Sequence, residues 1–495
     1  MYVLLLLPNT LFESHDIIKQ FEDSDEKYEI IIYENPKFFT EYSYHKLKLI
    51  FHRATMKSYY NYIQKSYKKA NIKYVEFDTN IKPAISKYEK IYMYDPIDFS
   101  IEKTMKKICG KKLNILESKL FILTNAEIDE YLDNSKGTYF NATFYKWIRQ
   151  KKDILMNGKK PIGGSWSFDV ENRLQFPKSY KEKPIKFYDN LYIKEAKLYV
   201  EKHFKNNIGE TSMYLPINHS DAKIWLKKFI KERLLKFGPY EDAIDKDVVI
   251  GFHSGISALL NIGLLNPSDV IESALKYKNK VPIQSLEGFI RQIISWREYV
   301  RMLYIKEHTK FIKNNFLKHT RKLKDSWYDG TTGIVPVDEC IKKALKYAYC
   351  HHIERLMILG NVMLLSMIKP TDVYKWFLEV VSIDAYEWVM EPNVYGMSQH
   401  SVGQLMMNRP YFSSSNYIFK MSSYKKSDEN EKIKLDKEYE WYEILDALYY
   451  NFIIKHKTYL KSIYSTANSV YILNKKSQTE KTNLKKLAEA YLKKY

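Results

Sequence analysis

The sequence predicts two unlike halves: an α/β domain built on a doubly wound parallel sheet, followed by a large all-α domain. Three observations lead there. Short apolar runs alternate with charged amphipathic stretches at the start of the chain, strand signals stop after about residue 194, and helical periodicity then dominates. A length of 495 residues suits two domains better than one core.

The expected strands are Tyr2–Leu7, Glu29–Tyr33, Lys73–Phe77, Lys90–Tyr94 and Leu113–Leu116, with helical stretches such as Tyr44–Lys65 and Ser100–Cys109 between them. In such a sheet ligands sit beyond the carboxyl ends of the strands. No G-x-G-x-x-G follows the first strand, so a dinucleotide fingerprint is absent. This α/β part is taken as residues 1–130. From 131 to 195 the pattern loosens at Asn134–Gly137, Asn157–Pro161, Gly163–Gly164 and Pro177–Pro184, which reads as a surface linker with one helix near Thr143–Met156. Helical periodicity then covers Ile224–Phe237, Val270–Lys276, Leu286–Lys306, Glu339–Leu365, Thr371–Val381 and Glu443–Ile454. Residues 196–475 form the all-α domain in this reading, and 476–495 a basic tail.

Lys and Arg total 79 against 59 Asp and Glu, a net charge of +20. That excess favours a polyanionic partner, nucleic acid before a membrane surface, although coding bias toward A and T would also enrich Lys, Ile, Asn and Tyr together. Cys109, Cys340 and Cys350 show no C-x-x-C spacing and cannot build a disulfide framework, which fits a reducing compartment. The apolar start Val3–Leu7 ends at Pro8, short of a signal or membrane-spanning segment. The expectation is a soluble, monomeric, intracellular protein, cytoplasmic or wherever its DNA lies.

Four segments carry chemistry. In Phe252–Pro267, Ser254 and Ser257 precede the helical run Ala258–Leu264, a pattern that serves either a phosphate or a plain N-cap. Glu287–Arg301 is dense in Arg and aromatic residues. Ala348–Leu365 reads as one helix carrying His351, His352 and Arg355; adjacent histidines about 100° apart on a helix do not ligate one metal, so no metal is expected. One of the two can still face a cavity as a proton donor. In Ile383–Gln399, Asp384 sits among aromatics and can pair with Arg355.

In this order, with TFYKWIRQKKDILMNGKKPIGGSWSFDVENR at Thr143–Arg173, FGPYEDAI at Phe237–Ile244 and RPYFSSSNYIFKMS at Arg409–Ser422, the segments resemble the photolyase/cryptochrome superfamily. The resemblance is closest to the bacterial branch that includes iron–sulfur (6-4) photolyases. It implies FAD in the helical domain, held by Tyr240, Ser254, Ser257, Phe289, Gln292, Arg297, Arg355, Asp384, Met390 and Asn393. It also implies His352, with His351 beside it, as the acid that protonates a flipped-out photoproduct, and Tyr411, Tyr417 and Arg409 at the lesion. Trp376 matches the flavin-proximal electron donor, with Trp327 or Trp388 as alternatives because Phe377 stands where relatives have Tyr. Met390 replaces a Glu of the relatives, and His400–Gln404 replaces a Phe-Ala-Asp-Gly-Gly stretch. Only three cysteines are present, and Pro336 and Ser422–Lys434 stand at the ligand positions, so no iron–sulfur cluster is implied. A lumazine-type antenna would lie near Leu6–Phe12. Three readings follow: light-dependent repair of (6-4) or cyclobutane lesions in UV-damaged DNA, a cryptochrome-like blue-light photoreceptor, and a cofactor-free nucleic-acid binder.

Overall fold

The computed structural model describes residues 1–495 apart from 25, 136, 138 and 169–171, so those parts of the loop at 134–137 and of the linker motif lie outside the described residues. Strands β1 (Tyr2–Leu6), β2 (Tyr28–Tyr33), β3 (Asn71–Val75), β4 (Lys90–Tyr94) and β5 (Leu113–Leu116) form a parallel sheet in the order β3-β2-β1-β4-β5. Leu4, Leu5, Leu6, Ile30, Ile31 and Ile32 have no exposed surface. A central strand covered by helices on both faces needs apolar side chains at every position, so these runs do not alternate.

The chain leaving β1 is packed solid. Asn9 Nδ2 donates to the Pro96 carbonyl at 2.9 Å and the Leu11 N–H to the Ile262 carbonyl at 2.9 Å. Phe12 lies against Gly263, where an added Cβ would meet its ring at 2.7 Å. Leu6–Phe12, where the sequence reading places an antenna, also forms a seam between the sheet and the helical part.

A second seam forms where the helix Lys46–Ser66 meets the helix Leu191–His203. Buried Arg53 bonds Glu34 at 2.9 Å and Glu195 at 3.0 Å, pairs with Glu76 at 2.8 Å, and lies 3.8 Å from the Tyr199 ring centre.

Two expectations need correction in the helical half. The continuous helix over Glu339–Leu365 is broken: Val335–Tyr347 ends at Ala348, whose φ is +52°, and the chain re-enters helix only after His351. A short antiparallel pair, Ile433–Lys434 with Glu438–Tyr439, occurs where no strand signal was read. The basic stretch at 476–495 is a docked helix, Gln478–Lys494, opened by a capping box on Ser477, and its buried Tyr491 donates to the Thr332 carbonyl at 2.9 Å. Among the described residues no helix is long and apolar enough to cross a membrane.

Three segments, Gln292–Arg297, Glu354–Gly360 and Pro392–Ser398, are wound as π-helix, with i→i+5 bonds. Such turns are uncommon and concentrate at functional sites.

Candidate functional site

All three π-helical turns face one cavity of about 480 Å³, within the usual range for a small-molecule or cofactor site. Gln292 and Arg297 come from the first turn, Arg355 from the second and Asn393 from the third. A loop and short helix add Ser254, Ser257 and Asn261, and the segment before the third turn adds Asp384, Trp388 and Met390.

At the centre is an ion pair. Arg355 Nη1 donates to Asp384 Oδ1 at 2.9 Å and Nη2 to Oδ2 at 3.1 Å, the forked geometry that fits guanidinium to carboxylate. The Arg355 Nε–H donates to the Cys350 carbonyl at 2.6 Å. Ser257 Oγ donates to Asp384 Oδ2 at 2.5 Å, so this hydroxyl is committed to the carboxylate rather than left for a phosphate. Asn261 Nδ2 donates to the Asp384 carbonyl at 2.8 Å, and its Oδ1 accepts from Arg297.

Arg297 lies between two rings, 4.9 Å from the centre of Phe121 and 4.8 Å from that of Trp388. Its Nε is buried with no partner, as are Trp388 Nε1, His253 Nε2 and Asn172 Oδ1, all on residues of the cavity wall. Buried polar atoms rarely go without partners. Two unpaired N–H groups, Arg297 Nε and Trp388 Nε1, and an ion pair in one cavity fit a ligand that carries acceptors beside a flat ring, and FAD is such a molecule.

On the other side stands His352, whose side chain is 49% exposed toward the opening. Its Nε2 pairs with Asp242 Oδ1 at 3.2 Å. Withdrawal from water opposes its charge, but the Asp242 hydrogen bond and the charges of Glu241 and Asp242 prevail, and its pKa lies above the ordinary histidine value. His351 is buried and stacks on His253, centroids 5.0 Å apart and planes at 16°. Both are held neutral, chiefly by burial. Because His351 precedes the helix, the 100° separation read from the sequence does not apply. One ring nitrogen from each of His253, His351 and His352 lies within 4.8 Å of the others.

The wall includes Ser254, Ser257, Phe289, Gln292, Arg297, His352, Arg355, Asp384, Trp388, Met390, Asn393 and Tyr411, each named from the sequence. Others stand back from it. Tyr240 packs against Phe252, centroids 5.2 Å apart. Trp376, expected nearest the flavin, is behind Phe377, 5.1 Å away, and its Nε1 donates to the Trp327 carbonyl at 2.7 Å. The helix Pro370–Glu379 turns Phe377 to the cavity and so turns its neighbour away. Tyr417 is not part of the wall, and Arg409 lies 5.3 Å from the Tyr411 ring centre. Glu391, next to Met390, cannot stand in for the missing Glu because it is tied to His308 at 2.8 Å. The three cysteines are buried and form no disulfide, with Cys109 in the sheet domain and Cys350 Sγ donating to the Cys340 carbonyl at 3.4 Å.

Sequence reading missed Asn261 and Asp242. Asn261 follows Ser257 by one helical turn inside an apolar run, and that isolated amide was a legible signal. Asp242 lies in the motif FGPYEDAI, from which only Tyr240 was chosen.

Residues 4–214 match the family described as Deoxyribodipyrimidine photo-lyase-related protein. The (6-4) photolyase of Agrobacterium fabrum is 33% identical over 430 residues, 84% of this chain and 83% of that protein. Among solved structures, a bacterial class III photolyase from Agrobacterium tumefaciens superposes with a TM-score of 0.57 at 15% identity, covering 85% of this chain and 83% of the other. A cryptochrome from Synechocystis sp. PCC6803 gives 0.56 at 14% identity, covering 85% and 88%.

Proposed function

The chain belongs to the photolyase/cryptochrome superfamily, and from that premise we propose that it is a light-dependent DNA-repair flavoprotein, a photolyase of (6-4) type. One observation carries the lesion type: a carboxylate-paired histidine, His352, shares a cavity with the Arg355–Asp384 pair. FAD, bound there in its reduced form, would supply a light-driven electron to the lesion and take it back after repair.

The chain's own residues do the rest. The Arg355–Asp384 fork orients the polar edge of the ring, and Arg297 places a positive charge beside it. His352 gives a proton to the lesion as the electron arrives and recovers it as the product forms. Asp242 favours the charged form of His352. Tyr411 offers a stacking face to the flipped base. The net charge of +20 supports binding to the phosphate backbone.

The test is photorepair of duplex DNA carrying a defined (6-4) or cyclobutane lesion, with light and dark arms. The expected result is light-dependent repair of the (6-4) lesion, lost by about 10²–10⁴-fold in His352→Ala with FAD still bound, as befits removal of a general acid. Repair that survives in His352→Ala points to cyclobutane lesions. The departure at Phe377, where the resemblance expects a tyrosine, leaves a cryptochrome-like photoreceptor as a second reading. Chemically pre-reduced enzyme that repairs neither lesion supports a photoreceptor.

A further inference from the structure

Lys48 belongs to the sheet domain, on the helix Lys46–Ser66, yet its ammonium ends behind the cavity wall. It is 2% exposed. It donates to the carbonyl of Ala385, the residue after Asp384. Its Nζ lies 4.6 Å from the Tyr44 ring centre and 4.5 Å from that of Tyr386. No carboxylate bonds it among the described residues. The nearby acids are committed elsewhere: Asp98 accepts from the N–H groups of Glu387 at 3.3 Å and Trp388 at 2.8 Å, and Asp384 holds Arg355 and Ser257.

A buried ammonium without a carboxylate partner is unfavourable, and an apolar side chain of similar length would fill the same space without that cost. What lysine adds is a directed N–H. The loop Ser382–Tyr386 is tied on one side by Arg355, Ser257 and Asn261, all from the helical domain, and on the other by Lys48. We infer that Lys48 is a positioning residue through which the sheet domain fixes the orientation of Asp384 at the flavin edge. The inference rests on the flavin reading of the cavity. Lys48 touches no reacting atom; it acts through the Ala385 carbonyl.

The test uses the full chain as wild type, Lys48→Met and Lys48→Gln, the last keeping an N–H donor without the charge. Two quantities are read: the FAD dissociation constant, and the hydrogen-exchange rates of the amides at 383–388 in flavin-free protein. Lys48→Met should weaken FAD binding by about tenfold, because the flavin must then order the Ser382–Tyr386 loop itself. It should also speed exchange at 383–388 while leaving β1 unchanged, and Lys48→Gln should restore most of both. Wild-type values for Lys48→Met in both measurements overturn the inference, as does an equal rise in exchange across the whole seam. Should Lys48→Met not fold, Lys48→Gln decides alone, and exchange and affinity far from wild type in that variant refute a donor role. Wild-type protein that takes up no FAD overturns the flavin reading, and the exchange arm still shows whether Lys48 holds the loop.

Discussion

Arg53 and Arg297 are both withdrawn from water, but they do opposite things. In the seam between the sheet and the helix Leu191–His203, Arg53 meets three carboxylates and an aromatic face, and those acids hold its pKa above the ordinary value despite burial. At the cavity wall, Arg297 has an amide oxygen, a carbonyl at 3.3 Å and two ring faces, and burial pushes its pKa down to about 10. It remains charged at neutral pH. A buried cation whose acids are all present is architecture. One left short of acceptors is prepared for a ligand.

Substitution should separate the two. The largest effect is expected for Arg53→Met, which strands Glu34, a carboxylate with no exposed surface. Breaking such a pair costs about 3–5 kcal/mol, read by urea unfolding, while FAD bound per folded molecule stays unchanged. Arg297→Met should do the reverse. Flavin affinity falls about ten- to a hundredfold, the range for hydrogen bonds to a charged group, and the flavin-free protein is no less stable. Equal losses of stability in both variants would erase the distinction.

The smallest effect concerns His352. Its folded pKa is raised, so the protonated form persists below that value and repair declines as pH climbs through it. Asp242→Asn removes the supporting carboxylate and should move that decline to lower pH, measured as the single-turnover photorepair rate of pre-reduced enzyme against pH. An unmoved profile would separate Asp242 from the acid.

The sheet was legible because central strands covered on both faces leave unbroken apolar runs, and all five expected strands coincide with observed ones to within two residues. Break points in helices were not. Ala348 turns left-handed with neither Gly nor Pro to announce it, which moved His351 off the helix. The resemblance named residue types at the cavity but not their commitments. That Ser257 faces Asp384, or that Phe377 rather than Trp376 meets the cavity, depends on helix rotation to within one residue, and a 3.6-residue period read from sequence does not fix that.

The same π-helical turns bear on how the protein tolerates insertion and deletion. An i→i+5 turn takes in about one residue more than an α-turn, so each of the three holds a surplus residue that a deletion could absorb by reverting to α. Such a deletion would leave composition and apolar content almost untouched, and the shortened helix would carry no extra strain. The helix beyond the turn would keep its faces, while residues inside it, Arg355 or Asn393 among them, would lose the placement at the cavity wall that the wider turn gives them. In these segments the surplus residue serves the cavity and not the helix.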